Sequence, residues 1–206
     1  MAKFAFIDVN NTDGTTHKLC GFSVDWRKLC DYLNKEWGCE KSYFYAGIQN
    51  GDDEMAKEFD SIAKFEYGVV RAKPIQIYKR PDRKVDTTCL KCGESNVVVI
   101  DMGYDQKGNC DVDLTIDALE NAAAGNEFYF FTGDGDFAPL VTKSLEKSVS
   151  KVHIVSSGKS IMRAGMLNKR LATKLQKLFK EFPAQVDLID IDALKFKIKR
   201  DVLPTS

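Results

Sequence analysis

Two aspartates two residues apart, Asp134 and Asp136, close the run FYFFTGDGDF over Phe128–Phe137. Asp8 ends a second apolar run, Phe4–Val9, and a third stretch, KGNCDVDLTIDAL over Lys107–Leu119, carries Asp111, Asp113 and Asp117. Carboxylates gathered from three separated segments repel one another and raise one another's pKa values unless a cation binds among them. Their hard oxygens suit Mg²⁺ or Mn²⁺. Such an ion lowers the pKa of an attacking water and offsets charge on phosphorane oxygens, so the chemistry within reach is phosphodiester hydrolysis. A plainer reading has Asp136 and Asp111 capping the helices that follow them. That reading leaves Asp134 without a role. Asp113 and Asp117 stand four apart, a like-charge spacing that some cation must relieve, a divalent ion being one candidate. The two histidines, His17 and His153, are not needed for this chemistry, and His153, inside an apolar run, fits a core position.

Positioning these acids requires a particular scaffold. Short apolar runs bounded by glycine are expected to be buried strands of a parallel sheet, and ligands sit outside the carboxyl ends of such strands. Strands are expected at Phe4–Val9, Lys41–Ile48, Val69–Tyr78, Glu127–Phe131, Lys151–Val155 and Val186–Ile191. Helices are expected from Asp25 to Trp37, at Asp53–Tyr67, Asp111–Ala124 and Asp136–Lys147, as one long helix over Ile161–Phe182, and at Ala193–Lys199. Asn10–Lys18 is expected to be a polar loop, and Gly133 and Gly135 to let the backbone turn sharply. The Lys79–Asn109 stretch interrupts the rhythm as a hairpin-like insertion. Alternating strands and helices predict an α/β fold with right-handed crossovers, in one domain spanning 1–206.

Thirty basic residues balance thirty acidic ones, so only local clusters bear on a polyanionic partner. Lys159, Arg163, Lys169, Arg170, Lys174, Lys177 and Lys180 form an acid-free run, and Lys79, Arg80, Arg83 and Lys84 a second cluster. These could rim an acidic pit and hold a phosphate backbone; each alone also fits a solvated surface. Lys107, Arg163 and Lys169 are the cations expected to touch substrate. No apolar run reaches membrane-spanning length, and six cysteines without a secretory signal predict reduced thiols in a cytoplasm. Cys89 and Cys92, followed by Gly93, make half of a zinc knuckle, and structural Zn²⁺ wants four ligands. The other half must come from elsewhere or across a homodimer; otherwise the pair binds no metal.

Together, FIDVNN (Phe6–Asn11), KGNCDVDL (Lys107–Leu114) and FTGDGDFAPLV (Phe131–Val141) resemble the NYN domains of the PIN-like nuclease superfamily, LabA-like proteins in particular. Order and spacing match from about Phe4 to Asp192, most loosely over Lys79–Tyr104. The resemblance implies a three-layer α/β/α sandwich with a mainly parallel sheet. It also implies a Mg²⁺- or Mn²⁺-dependent ribonuclease site at Asp8, Asp111, Asp134 and Asp136, acting on RNA or another single-stranded nucleic acid. Asn11 and Thr132 match family positions on the substrate side, and Asp117 falls where an outer contributor would stand. Val9 occupies a place where glycine is common. The alternative is a nucleic-acid-binding or regulatory module without turnover. A full acid set favours the enzyme, since pure binding has no use for carboxylates that repel phosphate. A haloacid-dehalogenase-type phosphatase is disfavoured because Asp8-Val9-Asn10 lacks that motif's second aspartate.

Overall fold

Six short strands lie side by side in the computed structural model, which describes residues 1–108, 110–163 and 165–201, without the side chains of Gln106, Lys107, Arg163 and Met166. They are β1 (Lys3–Asp8), β2 (Lys41–Ile48), β3 (Gly68–Pro74), β8 (Glu127–Phe131), β9 (Lys151–Ser156) and β12 (Val186–Asp190). Their order is β12-β9-β8-β1-β2-β3, and every neighbouring pair runs parallel. The chain builds outward from β1 to β3 on one side, then from β8 to β12 on the other. The reversal therefore falls between β1 and β8, where an open parallel sheet leaves its ligand crevice.

Period-two alternation sends each strand's side chains to opposite faces. In β8, Phe128 and Phe130 face α4 (Asp111–Glu120), α5 (Ala138–Glu146) and α6 (Thr173–Glu181), packing with Leu114, Leu140 and Leu175. Tyr129 and Phe131 face the other layer, which contains α1 (Val9–Thr15), α2 (Trp26–Lys35), α3 (Asp53–Ile62) and α7 (Lys195–Ile198). Phe6 stacks on Phe130 at 5.2 Å and meets Phe128 edge-on at 5.0 Å, locking β1 to β8. The result is the expected three-layer α/β/α sandwich. His153 is held as expected: its Nδ1 meets Asp187 at 2.5 Å and its Nε2 meets Glu127 at 2.8 Å, with Tyr129 stacked on the ring.

Four expectations need correction. The strand over Val69–Tyr78 is two, β3 in the central sheet and β4 (Gln76–Lys79) in the insertion. The polar stretch after β1 is helical: α1 continues into a wide turn, Thr16–Cys20, that carries the exposed His17. Its threonines bond inward, Thr12 to the Phe131 carbonyl at 2.9 Å and Thr15 to the Asn11 carbonyl at 2.9 Å. The long helix over Ile161–Phe182 is instead a hairpin of β10 (Ser160–Arg163) and β11 (Met166–Lys169), followed by α6 alone. Gly165 sits at φ +75°, a left-handed conformation no helix can run through. The helix over Asp53–Tyr67 ends early, at Ile62.

The insertion is a two-tier hairpin. Its base pairs β4 (Gln76–Lys79) with β7 (Tyr104–Lys107), and its tip pairs β5 (Arg83–Thr88) with β6 (Ser95–Ile100). At the tip the Cys89 sulfur accepts backbone hydrogen bonds from Lys91 and Cys92, which with the Cys92 thiol hold the Cys89 thiol below its ordinary pKa. The turn closes with Gly93 N–H on the Cys89 carbonyl at 2.8 Å and Cys89 N–H on the Glu94 carbonyl at 2.9 Å.

Candidate active site

Asp8, Asp111 and Asp134 line one pocket of about 300 Å³ with Asn10, Asn11, Tyr45, Gly47, Gly108, Cys110 and Leu114. Three elements deliver the acids: the end of β1, the first residue of α4, and the turn after β8. All lie at the sheet edge where the strand order reverses. Asp8 is the cap of α1, its Oδ1 accepting the Asn11 N–H at 3.1 Å, while the Thr132 hydroxyl donates to Oδ2 at 3.3 Å. Burial pushes the Asp8 carboxyl up from 3.8 to about 6; Asp111 and Asp134 add repulsion, and the Asn11 and Thr132 donors oppose it.

Asn11 and Thr132, expected on the substrate side, are engaged inside the protein. Asn11 Oδ1 accepts the Gly133 N–H at 2.9 Å, tying the start of α1 to the turn after β8. Thr132 is fully buried and its oxygen also accepts the Asp134 N–H at 3.1 Å. Asn11 lines the pocket as well, whereas Thr132 does not.

Asp134 and Asp136, both expected in the metal site, are placed differently: Asp134 lines the pocket and Asp136 does not. Asp134 caps the turn, its Oδ1 accepting the Asp136 N–H at 2.9 Å, and it also lines the pocket. A short turn, Gly135–Phe137, then leads into α5. Asp136 caps nothing; its side chain is 81 % exposed and pairs with Lys174 at 3.1 Å. Neither glycine is needed for left-handed backbone, because neither has positive φ. Gly133 is there for space. A Cβ at this position would sit 2.2 Å from the Arg170 carbonyl oxygen, and the Ala172 N–H bonds to the Gly133 carbonyl at 2.9 Å. Gly133→Ala is therefore expected to lower stability by about 1–3 kcal/mol, read as a drop in melting temperature, because backbone rather than a flexible side chain must move.

Asp117, expected as an outer contributor, does not line the pocket. Buried, it accepts from Arg71 Nε at 3.2 Å and from the Tyr45 hydroxyl at 2.9 Å. Burial and that carboxylate push the Tyr45 phenol far above its ordinary pKa, keeping it a neutral donor. Lys73 pairs with Asp113. Two cations from β3 thus relieve the like-charge spacing on α4, with no call on a metal ion. Asp111 also makes interactions of its own.

Of the expected phosphate contacts, the structure describes the side chain of Lys169. Lys169 lines a separate groove with Lys18 and Arg170, and its ammonium reaches the Thr173 hydroxyl at 3.1 Å. The Lys107 and Arg163 side chains lie outside the described part of the structure. Among the sites of interest, sequence reasoning missed Asn10, Tyr45, Gly47 and Cys110. Adjacency to Asn11 and to the acidic block would have flagged Asn10 and Cys110. Nothing local flags Gly47, which must be bare because a Cβ would meet the Gly108 carbonyl at 2.5 Å.

A hydrated divalent cation fits this donor set. Among the described residues no three His, Cys, Asp or Glu side chains close on one point. Mg²⁺ demands no such cage, since it keeps several waters and is held through one or two carboxylates plus substrate phosphate. Asp8, carrying a costly buried charge beside two acids, is the group that gains most from it.

A structure of a protein of unknown function from Vibrio parahaemolyticus matches with a TM-score of 0.56 at 22% identity, covering 93% of this chain and 94% of that one. Likeness at this identity shows the fold alone. Comparison with curated proteins finds no match. Among the described residues no helix is long and apolar enough to cross a membrane. NYN domains belong to the PIN-like nuclease superfamily, which suggests nuclease activity on nucleic acid. A model of that domain matches residues 4–168, most of the length, and the chain belongs to the NYN domain family.

Proposed function

We propose that this protein is a Mg²⁺- or Mn²⁺-dependent endoribonuclease. The observation that carries the reading is the meeting of Asp8, Asp111 and Asp134, from three segments, in one pocket at the sheet's switch point. Family membership supports a nuclease; the metal assignment rests on the site's chemistry and the RNA assignment on the resemblance of its motifs. When bound, the ion supplies Lewis acidity and an activated water. The protein's own part is orientation. Asn11 and Thr132 fix both oxygens of Asp8, and the cap bond to Asp136 N–H fixes Asp134. These carboxylates would repel a phosphodiester unless a cation stood between them, which separates turnover from simple binding.

Incubating RNA and DNA oligonucleotides with Mn²⁺, Mg²⁺ or EDTA tests this. Internal cleavage of RNA that stops with EDTA is expected; no metal-dependent cleavage of either nucleic acid would leave the non-catalytic module as the better reading. The groove around Lys169 is proposed to carry the RNA backbone away from the pocket, with Lys107 and Arg163 as further phosphate contacts. Lys169→Glu should weaken RNA binding and lower the slope of log affinity against log salt by about 1. Its melting temperature should hold, because its Thr173 contact is exposed.

A further inference from the structure

We propose that the β5–β6 arm joins two copies of this chain, with the Cys89 and Cys92 thiolates of both sharing one tetrahedral Zn²⁺. The tip already has the shape of a metal knuckle. The turn closes through Gly93 and Glu94, and Gly93 takes the left-handed φ of +76°. Both thiols are exposed. They supply two of the four ligands that structural zinc takes.

Nothing among the described residues completes the set. The other four cysteines are buried in the body of the protein, and burial pushes the Cys30 and Cys39 thiols up to about 12. Among the described residues no third His, Cys, Asp or Glu side chain joins them in a group that could hold a metal ion, Glu94 of the same turn included. The missing ligands must come from outside.

The arm makes an independent demand for a partner. Val97, Val98, Val99 and Ile100 are consecutive and 43 to 56 % exposed, so apolar side chains emerge from both faces of β6. Leu90, at the turn, is wholly exposed. Among the described residues the strands pair only with each other, from Arg83 opposite Ile100 to Thr88 opposite Ser95. A lone two-stranded hairpin is marginal in water, and an apolar edge of this kind invites another strand. A second copy answers both demands at one place. It brings two more thiolates and another unpaired β6 edge, related by a two-fold axis through the ion. Each thiol gives its proton to solvent on binding, so assembly should weaken in acid.

The test uses the full chain, purified under reducing conditions with zinc present. Light scattering gives the mass, metal analysis gives zinc per chain, and cobalt substitution reports the ligands through thiolate-to-metal absorption. The expected result is a dimer with one zinc per two chains and a four-thiolate cobalt spectrum. EDTA, or the double change Cys89→Ser with Cys92→Ser, should yield zinc-free monomers with the body's melting transition unchanged. A monomer, a ratio of one zinc per chain, or a dimer that survives in the double variant would overturn the proposal. The outcome does not depend on nuclease activity.

Discussion

Asp8→Asn is expected to reduce metal-dependent cleavage about a hundred- to a thousandfold, the usual scale for losing one electrostatic group at a reacting centre. The same change should make the metal-free protein more stable at neutral pH. The Asp8 carboxyl has a pKa of about 6 in the folded chain against an ordinary 3.8, so the fold holds the proton more tightly than the unfolded chain does. Below pH 4 both states are protonated and the fold suffers no penalty. As pH rises from 4 to 6 the unfolded chain ionises first and stability falls, by at most about 3 kcal/mol. Asparagine cannot ionise, and its carbonyl oxygen can still accept the Asn11 N–H. Denaturation in EDTA should thus show the wild type losing stability relative to Asp8→Asn between pH 4 and 6, the other titrating groups being common to both. Divalent metal should restore the wild type at pH 7 and leave the variant unmoved. Protons compete with metal for Asp8, so cleavage should weaken as pH drops below about 6. A variant that keeps its activity, or loses activity and stability together, would remove Asp8 from the centre of the site.

What could be read from residue order was what short-range pattern encodes. The runs ending at Asp8 and Phe131 are apolar on both faces, so buried parallel strands and the position of their carboxyl ends followed directly. The stretch after Asp8 was not legible, because asparagine and threonine are poor helix formers. It is helical through contacts made at a distance: Thr12 bonds to Phe131 and Asn11 to Gly133. The glycines of the GDGD turn misled for a related reason. Their need is steric, set by Arg170 and Ala172 packing against them from a segment far along the chain. Lysines and leucines between Ile161 and Phe182 imitate an amphipathic helix, and only the conformation of Gly165 separates hairpin from helix. Asp117 looked like part of the acidic site because its partners, Arg71 and Tyr45, come from strands with no sequence link to it.

Asp134 and Asp136, on either side of Gly135, should respond in opposite ways to the same substitution. Asp134 has two jobs, capping the turn through the Asp136 N–H at 2.9 Å and presenting charge to the pocket. Asparagine can cap as well as aspartate does, whereas alanine cannot. Asp134→Asn should therefore keep its melting temperature and lose cleavage about a hundredfold or more. Asp134→Ala should lose the same activity and a further ~1 kcal/mol of stability. Asp136 is largely exposed, and its Lys174 partner is too. An exposed ion pair contributes on the order of 0–1 kcal/mol, so Asp136→Asn should cost less than about tenfold in cleavage and leave stability nearly unchanged. It should also weaken metal binding far less than Asp134→Asn does, as measured by Mn²⁺ titration. If Asp136→Asn is as inactive as Asp134→Asn with its fold intact, the carboxylate must swing into the pocket when metal and RNA bind. The site would then be a four-acid one, with Lys174 released on loading.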